Sequence, residues 1–294
     1  MNRLDASPLG PDTMHANPQP DEPGALHLVA LDPDHPGFRD QEYRLRRDAI
    51  ARQALAYRGA GPVPDVDYTE AEQGVWREVR GRLDELHTRL AVSWVQADAG
   101  GLNLSKERVP TFADVNTALS TRTGFRLRPV AGLVEGTEFL RQLGGGTFLA
   151  TQYLRHPSRP HYTPEPDALH ELVGHAVMLA HQDYAELHRS FGLAAHRART
   201  QADRQRLDRL YWRTMEFGLV EEAGQPRALG AGLLSSVGEL ERIDGEARLE
   251  PFEIEAVLEQ GYDPTTYQPT LWVLPPRELL AATLMPILES LAPG

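Results

Sequence analysis

Two histidines and a glutamate crowd the stretch PDALHELVGHAVML, residues 166–179, inside a run that otherwise reads as buried helix. His170, Glu171 and His175 are residue types that bind a metal ion or move a proton. The zinc-protease pattern His-Glu-x-x-His sets two ligands one helical turn apart; here the second histidine arrives one residue late. On an ideal α-helix a five-residue step turns about 500°, leaving the two side chains about 140° apart. They can share one ion only if the helix is distorted, or if one of them sits near its end. Pro164 and Pro166 favour a helix start near Asp167, which puts His170 in the first turn. Gly174 permits close approach of another backbone. The alternative is that both histidines are ordinary polar residues, one buried and one exposed.

A third ligand candidate lies in YWRTMEFGLVEE, where Glu216 stands among Trp212, Met215, Phe217, Leu219 and Val220. A glutamate ringed by large apolar side chains is rarely fully buried unless it is paired or coordinating. Two histidines and one carboxylate with open positions form the facial triad of non-haem Fe(II) oxygen chemistry; an arginine partner for Glu216 is the competing explanation. The chain has no cysteine. Disulfides, thiolate nucleophiles and Cys-ligated zinc or iron–sulfur centres are therefore excluded, and any metal has to be held by His, Asp or Glu.

The elements that must position these residues are mostly helical. In 294 residues with an ordinary 41% hydrophobic share there is ample material for one large core. The acidic excess, 42 against 30 with a net charge of −12, argues against nucleic acid or an anionic membrane as a partner. No apolar run approaches the roughly 18–20 residues of a membrane span. The N-terminus lacks the apolar stretch of a secretory signal, so a cytoplasmic location is expected. Residues 1–26, rich in Pro, Asp, Asn and Gly, read as a disordered tail, and 27–294 as a single domain. Helices are expected over 40–57, over the segment opened by Thr69 and Glu72 as a capping box, over 110–124 and over 137–143. Further helices are expected over 166–181, 184–196, 202–222 and 233–241. Trp76, Val79, Leu83, Leu86 and Leu90 form one buried stripe. TYQPTLWVL has the composition of a strand, and FRLRPVAGL is a shorter candidate. The expected fold is mainly α with small β elements.

Taken in order, DHPGF, RRDAIARQALAYRGAGPVPDVDYTEAE, TGFRLRPVAGL, TQYLRH, YTPEPDALHELVGH, YWRTMEFGL, GAGLLSSVGEL and YDPTTYQPTLWVL resemble the pterin-dependent aromatic amino acid hydroxylases. The likeness runs over about residues 34–280. It implies a single hydroxylase catalytic domain, with ferrous iron held by His170, His175 and Glu216. Iron and a tetrahydropterin together activate O₂ and hydroxylate the ring of a free aromatic amino acid. Arg155 matches the family arginine that binds the substrate carboxylate, held by Asp167, with Thr163 beside the substrate backbone. The resemblance implies a ring pocket that would use Pro166, His170, Trp212 and Phe217. Ser235 and Ser236 are implied to form hydrogen bonds that orient an iron-bound histidine. By the same resemblance the pterin would lie against Gly132 and Val134, stack on Phe139 and meet Glu171, with Tyr211 near iron and pterin.

The chain departs from the family pattern at several points. Leu149 stands where many members have a histidine, and Gly136 where a pterin-side serine is common. Val177 replaces a proline. QLGGGTF carries three glycines, read as a flexible turn. The animal regulatory domain and long C-terminal oligomerisation helix find no counterpart, so a monomer or weak homodimer is expected. Trp212 and Pro264, the latter where tyrosine hydroxylases place an Asp, favour phenylalanine as substrate and tyrosine as product. Tryptophan hydroxylation, phenylalanine 3-hydroxylation, a non-catalytic relative that binds metal or amino acid, and a zinc metallohydrolase are the rival readings.

Overall fold

The computed structural model of the chain describes residues 28–95, 100–102, 104–161, 163 and 165–292. The expected N-terminal tail and Pro164 lie outside the described residues. Helix α1 (Gln41–Ala56) begins where the Asp40 side chain accepts from the Tyr43 amide. Helix α2 (Glu70–Leu90) opens with the expected capping box: Thr69 accepts from the Glu72 amide, and the Glu72 carboxylate accepts from the Thr69 amide at 2.7 Å. Its apolar stripe is buried from Trp76 to Leu90. Helix α3 (Phe112–Arg122) stops at Gly124, whose φ of 73° is the left-handed conformation that ends helices.

Strand β1 (Arg126–Val130), helix α4 (Gly136–Gly144) and strand β2 (Thr147–Thr151) make a parallel crossover, with Arg126 opposite Thr147. All five residues of β2 are buried. A strand covered on both faces lacks the alternation that marks one in sequence, which is why TFLAT escaped notice. Helix α4 crosses α6 (Gln182–Arg197) so closely that a Cβ on Gly192 would fall 2.0 Å from the Gly144 amide nitrogen. Gly146, at φ 70°, makes the left-handed turn into β2. The glycine run thus serves a tight helix crossing and a fixed turn rather than flexibility.

The segment expected as one helix over 166–181 is a π-helix over His170–Ala176 that runs into the short α5 (Val177–Leu179). The helix expected over 202–222 also divides. It is α7 (Gln201–Tyr211), a second π-helical stretch at Trp212–Glu216, and then strand β3 (Leu219–Glu222). Leu219 and Val220 pair with Val273 and Leu274 of β6 (Thr270–Leu274), a tertiary pairing that overrides helical spacing. Ala223 and Gly224, both at positive φ, form a two-residue turn into β4 (Gln225–Ala228). With β5 (Arg248–Pro251) these strands form a sheet in the order β4-β3-β6-β5. The helix expected over 233–241 splits into α8 (Ala231–Leu234) and α9 (Val237–Arg242), because the Ser236 side chain caps α9. Helices α10 (Ile254–Glu259) and α11 (Arg277–Leu291) complete the chain. One continuous apolar core extends from α2 through both sheets to α11. Among the described residues no helix is long and apolar enough to cross a membrane.

Candidate metal centre

The π-helix resolves the spacing problem of His170 and His175. Hydrogen bonds from i to i+5 widen the turn, so residues five apart return to nearly the same face. The two Nε2 atoms lie 3.0 Å apart. The second π-helical stretch closes with an i to i+5 bond, Phe217 N to Trp212 O at 2.9 Å, and delivers Glu216 to the same point. Its Oε1 is 3.0 Å from His175 Nε2 and its Oε2 is 3.7 Å from His170 Nε2. One ligand atom from each of the three residues falls within 4.8 Å of the others.

Neighbouring groups fix these side chains. Ser235 Oγ donates to the Ala231 carbonyl at 2.7 Å, so toward His170 Nδ1, 2.8 Å away, it acts as acceptor. That arrangement puts the ring proton on Nδ1 and leaves Nε2 as a lone pair facing the other two ligands. Gly174 allows α8 to lie against the π-helix, since a Cβ there would stand 2.6 Å from the Ala231 carbonyl oxygen. Ser236 Oγ accepts from the Glu239 amide at 3.3 Å, which makes it the α9 cap.

Burial sets the charge states. It lowers His170 to about 4, with His175 adding to the effect, and lowers His175 to about 3. Burial raises Glu216, opposed by His170 and His188. Three polar groups therefore converge without a positive charge among them. Two neutral imidazoles and a carboxylate are the donor set of a divalent cation, so these residues fit an iron(II) ion.

Arg155 and Asp167 form a buried, two-pronged pair beside this centre. Arg155 Nε and Nη2 donate to Asp167 at 2.9 and 2.8 Å, and the Arg155 amide donates at 2.8 Å. Asp167 also accepts from the His170 amide at 3.1 Å, tying the pair to the start of the π-helix. Although burial raises the Asp167 carboxyl, Arg155 outweighs that and holds it below its ordinary value. Thr163 Oγ1 donates to the Glu165 carbonyl within its own turn, and the Pro166 carbonyl accepts from Thr151. Glu165 in turn accepts from Arg47 at 2.7 Å.

Trp212 and Phe217 face each other with ring centres 4.7 Å apart. Phe139, from α4, meets Phe148 at 5.2 Å and Tyr211 at 5.8 Å, both edge to face. Gly132 and Val134 lie on the partly exposed loop between β1 and α4. Glu171 Oε1 accepts from the Thr151 amide and hydroxyl at 3.0 and 3.1 Å, at the end of β2. Burial pushes its carboxyl up to about 8. Four contributors escaped the sequence reading. His188 is buried and meets His175 edge to face, Gln268 accepts from Trp212 Nε1 at 3.0 Å, and Tyr262 and Asp208 stand behind Trp212. Gln268 and Tyr262 lie inside YDPTTYQPTLWVL, but nothing in the sequence marks His188 or Asp208.

A mainly α domain thus brings two histidines and one carboxylate together on two π-helical turns, the donor set of a facial metal triad. Residues 27–280 match the family model of the biopterin-dependent aromatic amino acid hydroxylases, and the chain belongs to that family. Tyrosine 3-monooxygenase of Homo sapiens is 43% identical over 257 residues, covering 84% of this chain and 48% of that protein. The chloroplastic phenylalanine 4-monooxygenase of Pinus taeda is 40% identical over 240 residues, covering 79% of this chain and 68% of that one. The chain thus spans about half the length of the tyrosine hydroxylases it matches. Phenylalanine hydroxylase of Chromobacterium violaceum, solved with iron(III) and 7,8-dihydrobiopterin, superposes with a TM-score of 0.72 at 25% identity. That match covers 82% of this chain and 90% of the bacterial one.

Proposed function

We propose that this chain is a tetrahydropterin- and Fe(II)-dependent monooxygenase that hydroxylates free L-phenylalanine to tyrosine. The observation that carries the reading is the convergence of His170, His175 and Glu216 on one point beside the Arg155–Asp167 pair. Iron(II) held by these three residues, with a tetrahydropterin, would supply the activation of O₂. The chain's own groups bind and orient. Of the five N–H donors of an arginine, Arg155 commits three, two to Asp167 and one to the Pro160 carbonyl. The rest suit the substrate carboxylate. Trp212, Phe217, Pro166 and His170 would confine the ring, with Thr163 beside the substrate backbone. Phe139, Tyr211, Glu171 and the 132–134 loop would hold the pterin against β2. The apolar surroundings exclude bulk water from the reacting groups.

Phenylalanine is preferred because Pro264, where tyrosine hydroxylases place an Asp, gives no charge to meet a phenol. Tyrosine is the second reading, favoured by the 43% identity to a tyrosine 3-monooxygenase. Glu216→Ala tests the assignment. It is expected to lose iron binding and all iron-dependent hydroxylation while keeping the far-UV circular dichroism of the parent. Hydroxylation at the parental rate would overturn the ligand set.

A further inference from the structure

Gly136 replaces the serine common in the family, and the structure shows what occupies the space. A Cβ at position 136 would press on Asp208 Oδ1 at 3.1 Å, tighter than an ordinary contact. Asp208 sits on α7 one turn before Trp212, facing the start of α4. Its other oxygen, Oδ2, accepts a hydrogen bond from Tyr262 Oη at 2.5 Å. The Tyr262 ring lies flat on Trp212, with centres 4.2 Å apart and planes 8° from parallel. The indole is pinned at its far edge as well, where Nε1 donates to Gln268 Oε1. The indole also meets the Phe217 ring, with centres 4.7 Å apart. Tyr262 and Gln268 both belong to the 260–269 loop, which has no regular structure apart from its turn.

We propose that Asp208 is a positioning residue: it clamps Tyr262 onto Trp212, fixing one wall of the aromatic pocket, and Gly136 is the space that lets it do so. This rests on the proposed amino acid hydroxylase reading for its kinetic consequence, but the clamp itself is a property of the free protein. A charge-assisted hydrogen bond from a tyrosine hydroxyl is short and directional. The loop is anchored on either side of the tyrosine, where Gly261 O accepts from Arg213 and the Gln268 amide donates to Glu239, and at the tyrosine hydroxyl Asp208 keeps the large flat ring in register. Without the clamp the tyrosine is free to leave the indole, and the pocket wall gains rotamers that substrate binding has to remove again. The loss therefore falls on substrate affinity rather than on the chemical step. A serine at 136 would push the carboxylate from this position, so Gly136 and Asp208 act together.

The test uses the full chain with Asp208→Ala, Asp208→Asn, Tyr262→Phe and the double variant Asp208→Ala/Tyr262→Phe. The near-UV circular dichroism of the metal-free, ligand-free protein reports the Trp212–Tyr262 stack and needs no substrate. Asp208→Ala and Tyr262→Phe are expected to weaken the same band, the double variant to add nothing further, and Asp208→Asn, which keeps an acceptor, to restore most of it. In turnover, KM for phenylalanine is expected to rise about tenfold, the equivalent of one hydrogen bond to an ionised group, with kcat changed less than about twofold. Unchanged near-UV spectra in both single variants, or additive effects in the double, would overturn the clamp. If no aromatic amino acid is turned over while the spectral pattern holds, the functional reading fails and the clamp stands.

Discussion

Replacing Asp167 with asparagine keeps the shape of the side chain and removes its charge. Four N–H groups converge on this carboxylate: Arg155 Nε and Nη2, and the amides of Arg155 and His170, at 2.8–3.1 Å. An asparagine offers one acceptor oxygen and turns an NH₂ toward donors that cannot use it. Arg155, 3% exposed, keeps its charge but loses its carboxylate. Breaking a buried pair from one side costs about 3–5 kcal/mol. At about 2–4 °C of melting temperature per kcal/mol for a domain of this size, a fall of about 6–20 °C is expected at neutral pH. The pH dependence has a definite sign. The folded-state pKa of Asp167 is depressed by Arg155, so the pair's contribution is present above the unfolded value of 3.8 and lost as pH falls through the folded one. The gap between parent and variant should therefore narrow in strong acid. Thermal melts of the metal-free protein by circular dichroism, at pH 7 and at the lowest pH where it stays folded, measure both effects. Glu259→Gln, which breaks the exposed pair with Arg206, is the control and should leave the melt in place. An Asp167→Asn melt within about 2 °C of the parent at pH 7 would refute the reasoning, since no buried pair can lose a partner at so little cost.

Ser235→Ala removes the acceptor that fixes His170 Nδ1, so cobalt(II) affinity, measured by calorimetry, should fall about 10- to 100-fold while Asp208 variants leave it unchanged. His35 and His87 are each lowered by burial to about 4. Their unfolded forms take up protons first, so stability contributed by these two sites is full above about pH 6.5 and declines as pH falls toward 4. Urea midpoints from pH 8 to 4 should show this, and His87→Gln should flatten the decline. Gly192→Ala drives a methyl into the Gly144 backbone and should destabilise by about 1–3 kcal/mol or more. Gly81→Ala, on the open face of α2, should stabilise by about 0.4–1 kcal/mol; paired urea titrations separate the two.

What could be read from the sequence depended on whether the signal was local. The α2 capping box and its stripe are local patterns, and they appear as written. His170, His175 and Glu216 were legible as ligand types in apolar company, but five-residue spacing alone could not show that they meet. The π-helical turns that join them follow from packing, with Gly174 against Ala231, and no single-residue propensity announces such a turn. Strand β2 was hidden because both faces are covered, and β3 because Leu219 and Val220 fit a helical stripe until β6 claims them. The glycine run read as flexible because sequence does not reveal the helix that Gly144 touches. Asp208 was invisible for the same reason: its partners, Gly136 and Tyr262, lie 72 residues before it and 54 after.

Iron held by His170, His175 and Glu216, with a tetrahydropterin, is proposed to hydroxylate phenylalanine. The most direct test offers purified protein Fe(II), O₂, tetrahydropterin and an equal mixture of phenylalanine, tyrosine and tryptophan, and resolves products by mass and retention time. A +16 product from phenylalanine is expected that co-elutes with para-tyrosine, forms only with both iron and pterin present, and is absent with Glu216→Ala. A product drawn mainly from tyrosine or tryptophan would contradict the substrate, and no product from any of the three with iron bound would contradict the activity.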